Sequence, residues 1–256
     1  MFTFPPQFCR WLTVLAVGLV LGGSAASDTA AQPWRRGLPP PPAPTVSGLT
    51  GDSRLARPAG PARDLQRAES ALRSGVSGAP EAKARLDRIL TATPDDADAR
   101  RLRAHALLAL GRPAGALVDA ERAVALRPES AEAHLLVVES ARLVGNRSRA
   151  FAALDRLAAL AVRDGPLHAR AAWNAAELGD LERAESLARI AVTQDASRPD
   201  GYLLLARLFV LQRHDDAAAA VLARAANAGV VTRPMVQSDD LLARLADHPD
   251  VRRAWR

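Results

Sequence analysis

At 256 residues the chain has room for a leader, a linker and one elongated domain. Apolar residues make up 48% of it but aromatics only 4%, so alanine carries much of the apolarity; it favours helix and lets helices approach closely, yet buries little area, which argues against a deep globular core. The net charge of +6 divides evenly, with five arginines against two acids over residues 1–62 and 29 basic against 26 acidic groups over 63–256; so balanced a helical region, without interleaved aromatics, argues against a nucleic-acid partner.

Residues 1–31 read as a targeting segment. Arg10 supplies the positive end, Trp11 to Gly22 is an apolar stretch of secretory length, and small residues follow, with cleavage expected after Ala26 or Ala31. The alternative is an uncleaved inner-membrane anchor formed by residues 11–23. Cys9, the only cysteine, precedes the apolar run, so it is not placed for lipid attachment, and the rest of the chain has no disulfide, thiolate nucleophile or cysteine metal site. Basic residues are almost all arginine, Lys83 being the one lysine, a usage consistent with a GC-rich bacterium.

Residues 32–62 carry Pro39 to Pro42, Pro44, Pro58 and Pro61 with Gly48, Gly51 and Gly60. Such a segment is expected to be a disordered, partly polyproline linker, either a plain spacer or a ligand for a groove on another protein.

From residue 63 the chain repeats. Gly111, Gly145 and Gly179 stand 34 residues apart, as do Ala82, Ala116, Ala150, Ala184 and Ala218. Ala123, Leu157, Ala191 and Ala225 keep the same register, and Pro94 and Pro128 each close a helix before the next begins. Glycine suits the left-handed residue that ends a helix. Asn146 and Asp180 follow two of these glycines, placed to cap the next helix, and Pro113, Pro166 and Pro199 fall near helix starts. These signals predict helices ended by glycine and reopened by a cap, with Leu107, Leu110, Leu117, Val124 and Leu126 as one inward stripe.

The register resembles that of the tetratricopeptide repeat family, the clearest unit being DARRLRAHALLALGRPAGALVDAERAVALRP over 98–128. The resemblance implies an all-α, right-handed superhelical solenoid of about five helix–turn–helix units, 63–96, 97–130, 131–164, 165–198 and 199–232. A capping helix over 233–256 would follow, starting at Ser238-Asp239-Asp240, carrying Leu241, Leu242 and Leu245, and packing Trp255. The chain departs from the family pattern where Arg100, His134 and His168 replace an aromatic that only Tyr202 keeps. Ser77 and Arg213 stand where the turn glycine is expected.

No phosphate-cradling loop, zinc-protease helix or serine-nucleophile motif occurs, so no catalytic residue, metal or cofactor is expected. His134 and His168 occupy one packing position of successive units. His214-Asp215-Asp216 reads as a helix start, His248-Pro249-Asp250 as a turn, and Asn146-Arg147-Ser148 as a cap rather than a glycosylation site. Function is then expected on the concave face, to which the resemblance assigns Arg67, Arg101, His105, Glu139, Arg142, Trp173, Glu177 and Arg207. Trp173 is either a binding anchor or a packing residue between units. A clamp for a peptide's C-terminal carboxylate fits poorly, because His105 and Leu136 stand where asparagines are expected. These residues predict a non-enzymatic scaffold for a peptide or helix of a cell-envelope protein, periplasmic or secreted. The alternatives are a periplasmic protein that binds a small ligand or metal or acts as an enzyme, and a self-associating structural assembly factor.

Overall fold

The computed structural model describes residues 60–160 and 163–255. The expected targeting segment and nearly all of the expected linker lie outside them. Ten helices form five antiparallel pairs: α1 (Gly60–Arg73) with α2 (Ala79–Ala92), α3 (Ala97–Ala109) with α4 (Pro113–Leu126), α5 (Ala131–Leu143) with α6 (Arg147–Ala159), α7 (Gly165–Glu177) with α8 (Leu181–Gln194), and α9 (Pro199–Leu211) with α10 (Asp215–Asn227). The first helix of each pair also packs on the first helix of the next, so the odd-numbered helices form one continuous layer. This is an all-α solenoid.

The hairpin turns explain why the period holds. Gly111, Gly145 and Gly179 adopt φ of 68°, 80° and 83°, and the amide after each donates back to a carbonyl five residues earlier, Asn146 N to Ala141 O at 2.7 Å and Asp180 N to Ala175 O at 3.0 Å. This ends the helix while satisfying its last carbonyls. The side chains of Asn146 and Asp180 then accept from the amides of Arg149 and Arg183, opening α6 and α8. In the fifth unit Arg213 occupies the glycine slot and still takes φ 65°, the same turn closing through His214 N to Phe209 O. A non-glycine residue is strained there. The first unit solves the problem differently: Gly75 carries the positive φ, two residues before Ser77, and a 3-10 turn (Gly75–Gly78) leads into α2. Gly78 is obligatory, since a Cβ there would fall 1.8 Å from the carbonyl oxygen of Ala71.

Packing follows from the alanines. Ala82, Ala116, Ala150, Ala184 and Ala218 are all fully buried where the two helices of a pair cross. Of the inward stripe, Leu107 and Leu117 are buried, and Val124 packs on the core half-covered. The core falls into two clusters that meet at α3. Leu102 and Ala106 face the cluster of the first unit, whereas Ala104 and Leu107 face the larger one running to the C-terminus.

The C-terminal segment closes the stack in pieces. Residues 238–240, expected to open a helix, form a turn between a five-residue helix α11 (Arg233–Gln237) and a 3-10 turn (Ala243–Asp247); α12 (Pro249–Ala254) follows. Asp239 makes the difference, its side chain accepting from the amides of Leu241 and Leu242 while its carboxylate is committed to an arginine of α9. Leu242, Leu245 and Val251 nevertheless reach the core, α12 packs on α10, and the Trp255 indole donates to the carbonyl of Val231.

Two substitutions test this account. Ala150→Leu should cost about 1–3 kcal/mol by overpacking the α5–α6 crossing. Arg213→Gly should instead stabilise by about 0.5–1 kcal/mol, because glycine carries no penalty at positive φ. Denaturant unfolding of each variant against the parent measures both.

Candidate functional site: the inner layer of helices

The odd-numbered helices carry the candidate groove residues, and their burial differs along the stack. α3 buries five of its 13 residues, whereas α5 buries nine, α7 eleven and α9 nine. At 3.6 residues per turn, a helix with so many buried positions is covered around most of its circumference. Charged side chains on this layer are therefore withdrawn from water: Arg170 is 9% exposed, Glu177 7% and Arg207 2%. Only Arg67, on α1, is exposed among the eight candidates; Arg101, His105, Glu139, Arg142 and Trp173 are half-buried.

Burial at this level demands partners, and the layer supplies them from one unit to the next. Arg101 of α3 pairs with Glu132 at the start of α5. Glu139 of α5 accepts from Arg170 of α7 at 2.7 Å. Arg142 of α5 donates to Asn174 of α7 at 2.8 Å and reaches Glu177 at 3.4 Å, with its guanidinium 4.8 Å from the ring centre of Trp173. Arg207 of α9 donates to Asp239 of the closing segment at 2.8 Å. The structure thus joins seven of the eight candidates into one ladder or its immediate surroundings, and adds Glu132, Arg170, Asn174 and Asp239, which the expected groove did not include. The readable signal was an opposite charge or an amide 31–35 residues along the chain, one period away, rather than a cluster within one helix.

His105 of α3 is under the influence of two arginines of this ladder. Burial first, then the positive charges of Arg170 and Arg101, holds its imidazole down to about 4, so it is neutral at physiological pH. Burial pushes the Glu132 carboxyl above its ordinary value, against the pull of Arg101 and Arg170. Asp239 is likewise pushed up and Arg207 down by burial, each opposed by the charge of the other. Desolvation outweighs attraction in that last pair, so it fixes position more than it adds stability.

The two packing histidines have structural partners. His134 meets the carbonyl of Pro128 at 2.9 Å, and His168 that of Asp164 at 2.8 Å. Arg100, in the same slot of the second unit, donates to the Pro94 carbonyl at 3.0 Å. Polar side chains replace the expected aromatic here because each satisfies a loop carbonyl. Arg100 and Arg103 together also hold the buried carboxylate of Asp119, tying α3 to α4. At the C-terminal segment His248 caps α12, accepting from the Asp250 amide at 3.4 Å. Among the described residues no group of three or more histidine, cysteine, aspartate or glutamate side chains is arranged to hold a metal ion. Nor is any described helix long and apolar enough to cross a membrane.

No family model and no curated protein matches the chain in sequence. Solved structures match it in fold. A thermophilic TPR protein of Thermus thermophilus, TTC0263, is 23% identical with a TM-score of 0.54, covering 73% of this chain and 97% of its own. PilF of Pseudomonas aeruginosa is 17% identical with a TM-score of 0.60, covering 76% and 86%. MamA of Desulfovibrio magneticus, residues 41 to the end, is 18% identical with a TM-score of 0.53, covering 66% and 95%. The class of protein is thereby defined: the chain has the tetratricopeptide-repeat fold, with five units and a closing segment.

The neutral imidazole of His105 contributes stability that is present above its ordinary value of 6.5 and lost as pH falls through about 4. Glu132, with a raised pKa, works in the opposite sense, contributing stability at low pH that is lost as pH rises through its folded value. Comparing the parent with His105→Asn isolates the first effect. The parent should lose up to about 3 kcal/mol more than the variant between pH 7 and pH 4 in thermal or denaturant unfolding.

Proposed function

We propose that this chain is a non-enzymatic protein–protein interaction scaffold of the bacterial cell envelope, holding a peptide or helix of an envelope partner against the inner layer of its array. The observation that carries the reading is the in-register stack itself: five hairpins repeat one inner helix at a fixed spacing, and such a surface recognises extended or helical segments rather than small substrates. Solved proteins of this fold are consistent with that use. The envelope setting rests on the sequence of residues 1–31, with its positive end, apolar run and small-residue exit. Export to the periplasm or medium is the favoured route, and anchoring by residues 11–23 the alternative. The half-buried stretch of the inner layer, from Arg101 and His105 to Arg142 and Trp173, is the part a partner reaches.

Two measurements test the reading. Cell fractionation should find the protein in periplasm, medium or inner membrane; recovery wholly in the cytoplasm contradicts export. Capture from envelope extract should recover a stable partner, and Trp173→Ala or Arg142→Glu should lower that recovery about tenfold while helical content is kept. Equal recovery with both variants removes the inner layer as the binding face.

A further inference from the structure

The charge pattern of the inner layer narrows the kind of segment it can hold. From α3 to the closing segment, the half-buried Asp98 and Asp200 equal Arg100 and Arg103 in number, and the ionic groups paired between units are Arg101, Arg142, Arg170 and Arg207 with Glu132, Glu139, Glu177 and Asp239. Each arginine so paired is committed to an acid or amide of the next or preceding unit. His105, under the influence of two of them, is neutral. A charged peptide entering this face finds no net field to steer it and must displace one member of a pair, leaving the other buried beside it, an expensive exchange in a low dielectric. An uncharged segment breaks nothing. The apolar side chains it would meet on this layer are Leu203 of α9 and the Trp173 indole, both packed on the core and half-buried, the indole beside the Arg142 guanidinium.

From this neutrality we propose that the inner face selects an uncharged, apolar segment of its partner protein and rejects acidic, basic and carboxylate-terminated peptides. The inference rests on the inner layer being the binding face. Arg101, half-buried on this layer, is not free to grip a terminal carboxylate because Glu132 of the next unit already holds it. The pairs therefore act as a filter. They present no unmatched charge to a ligand.

The test uses the full chain and three labelled synthetic helical peptides of about 12 residues. One is an uncharged leucine–alanine–glutamine sequence, one carries glutamates and one carries lysines in place of the glutamines. Binding is followed by fluorescence anisotropy at about 50 mM and about 500 mM salt. The uncharged peptide alone should bind, with a Kd that changes less than about twofold between the two salts. Trp173→Ala should weaken it about tenfold, whereas Ile190→Ala, on the outer face of α8, should leave it unchanged. Glu132→Gln supplies the converse: releasing Arg101 should give the acidic peptide an affinity that high salt abolishes. Tighter binding of a charged peptide by the parent, no peptide binding at all, or no gain by Glu132→Gln overturns the proposal. Partner capture that depends on Trp173 while the uncharged peptide fails to bind overturns this inference and leaves the scaffold reading standing. Capture indifferent to Trp173 removes the scaffold's assigned face instead.

Discussion

The distance at which two helices can cross is set by the side chain at the crossing, and in this molecule that side chain is alanine five times over, at 82, 116, 150, 184 and 218. A methyl group lets the backbones approach closely, and close approach is what permits a thin core to exclude water with few large residues. The same constraint fixes the turn. Two helices held that tightly leave room only for a connection that reverses direction within a few residues, and a left-handed residue after the first helix supplies it. Where glycine is absent, as at Arg213, the crossing imposes the conformation on a residue that does not favour it. Stability is then the sum of many similar interfaces rather than the property of one centre.

Much of this was legible in the sequence because the period is carried by glycine and alanine, residue types whose roles depend on backbone and size alone. Gly111, Gly145 and Gly179, the capping Asn146 and Asp180, and the buried alanines are local facts, each settled within one unit. The first turn was harder, because Gly75 and Gly78 divide between them a role that one glycine fills elsewhere, and the resulting 3-10 turn shifts the register by two residues. The closing segment was harder still. Ser238-Asp239-Asp240 reads as a helix start, but Asp239, which accepts from the amides of Leu241 and Leu242, also pairs with Arg207, 32 residues upstream, and only a 3-10 turn follows.

The candidate site was legible in its positions and illegible in its state. Spacing told which side chains lie on the inner helices, since that follows from helical geometry. It could not tell that Arg101, Glu139, Arg142 and Arg207 are engaged with Glu132, Arg170, Asn174 and Asp239, because each partner belongs to a neighbouring structural element and the pairing depends on how one unit stacks on the next. In a repeat protein the chemistry of a surface is decided between units, whereas the fold is decided within them. Charges that look like ligands in one helix become cross-braces once the next helix is laid beside it.

The two core clusters meeting at α3 give the array a direction. At one end the first hairpin holds its own small cluster, joined to the rest through α3, and a 3-10 turn links its own two helices. At the other, a closing segment folds back over the last hairpin, buries Leu242, Leu245 and Val251 in the larger cluster and is positioned by the Arg207–Asp239 pair. A stack of nearest-neighbour interfaces opens where its boundary is weakest. This one therefore has a soft end and a hard end, and opens first at its first hairpin. Opening there releases the first hairpin while the larger cluster stays packed.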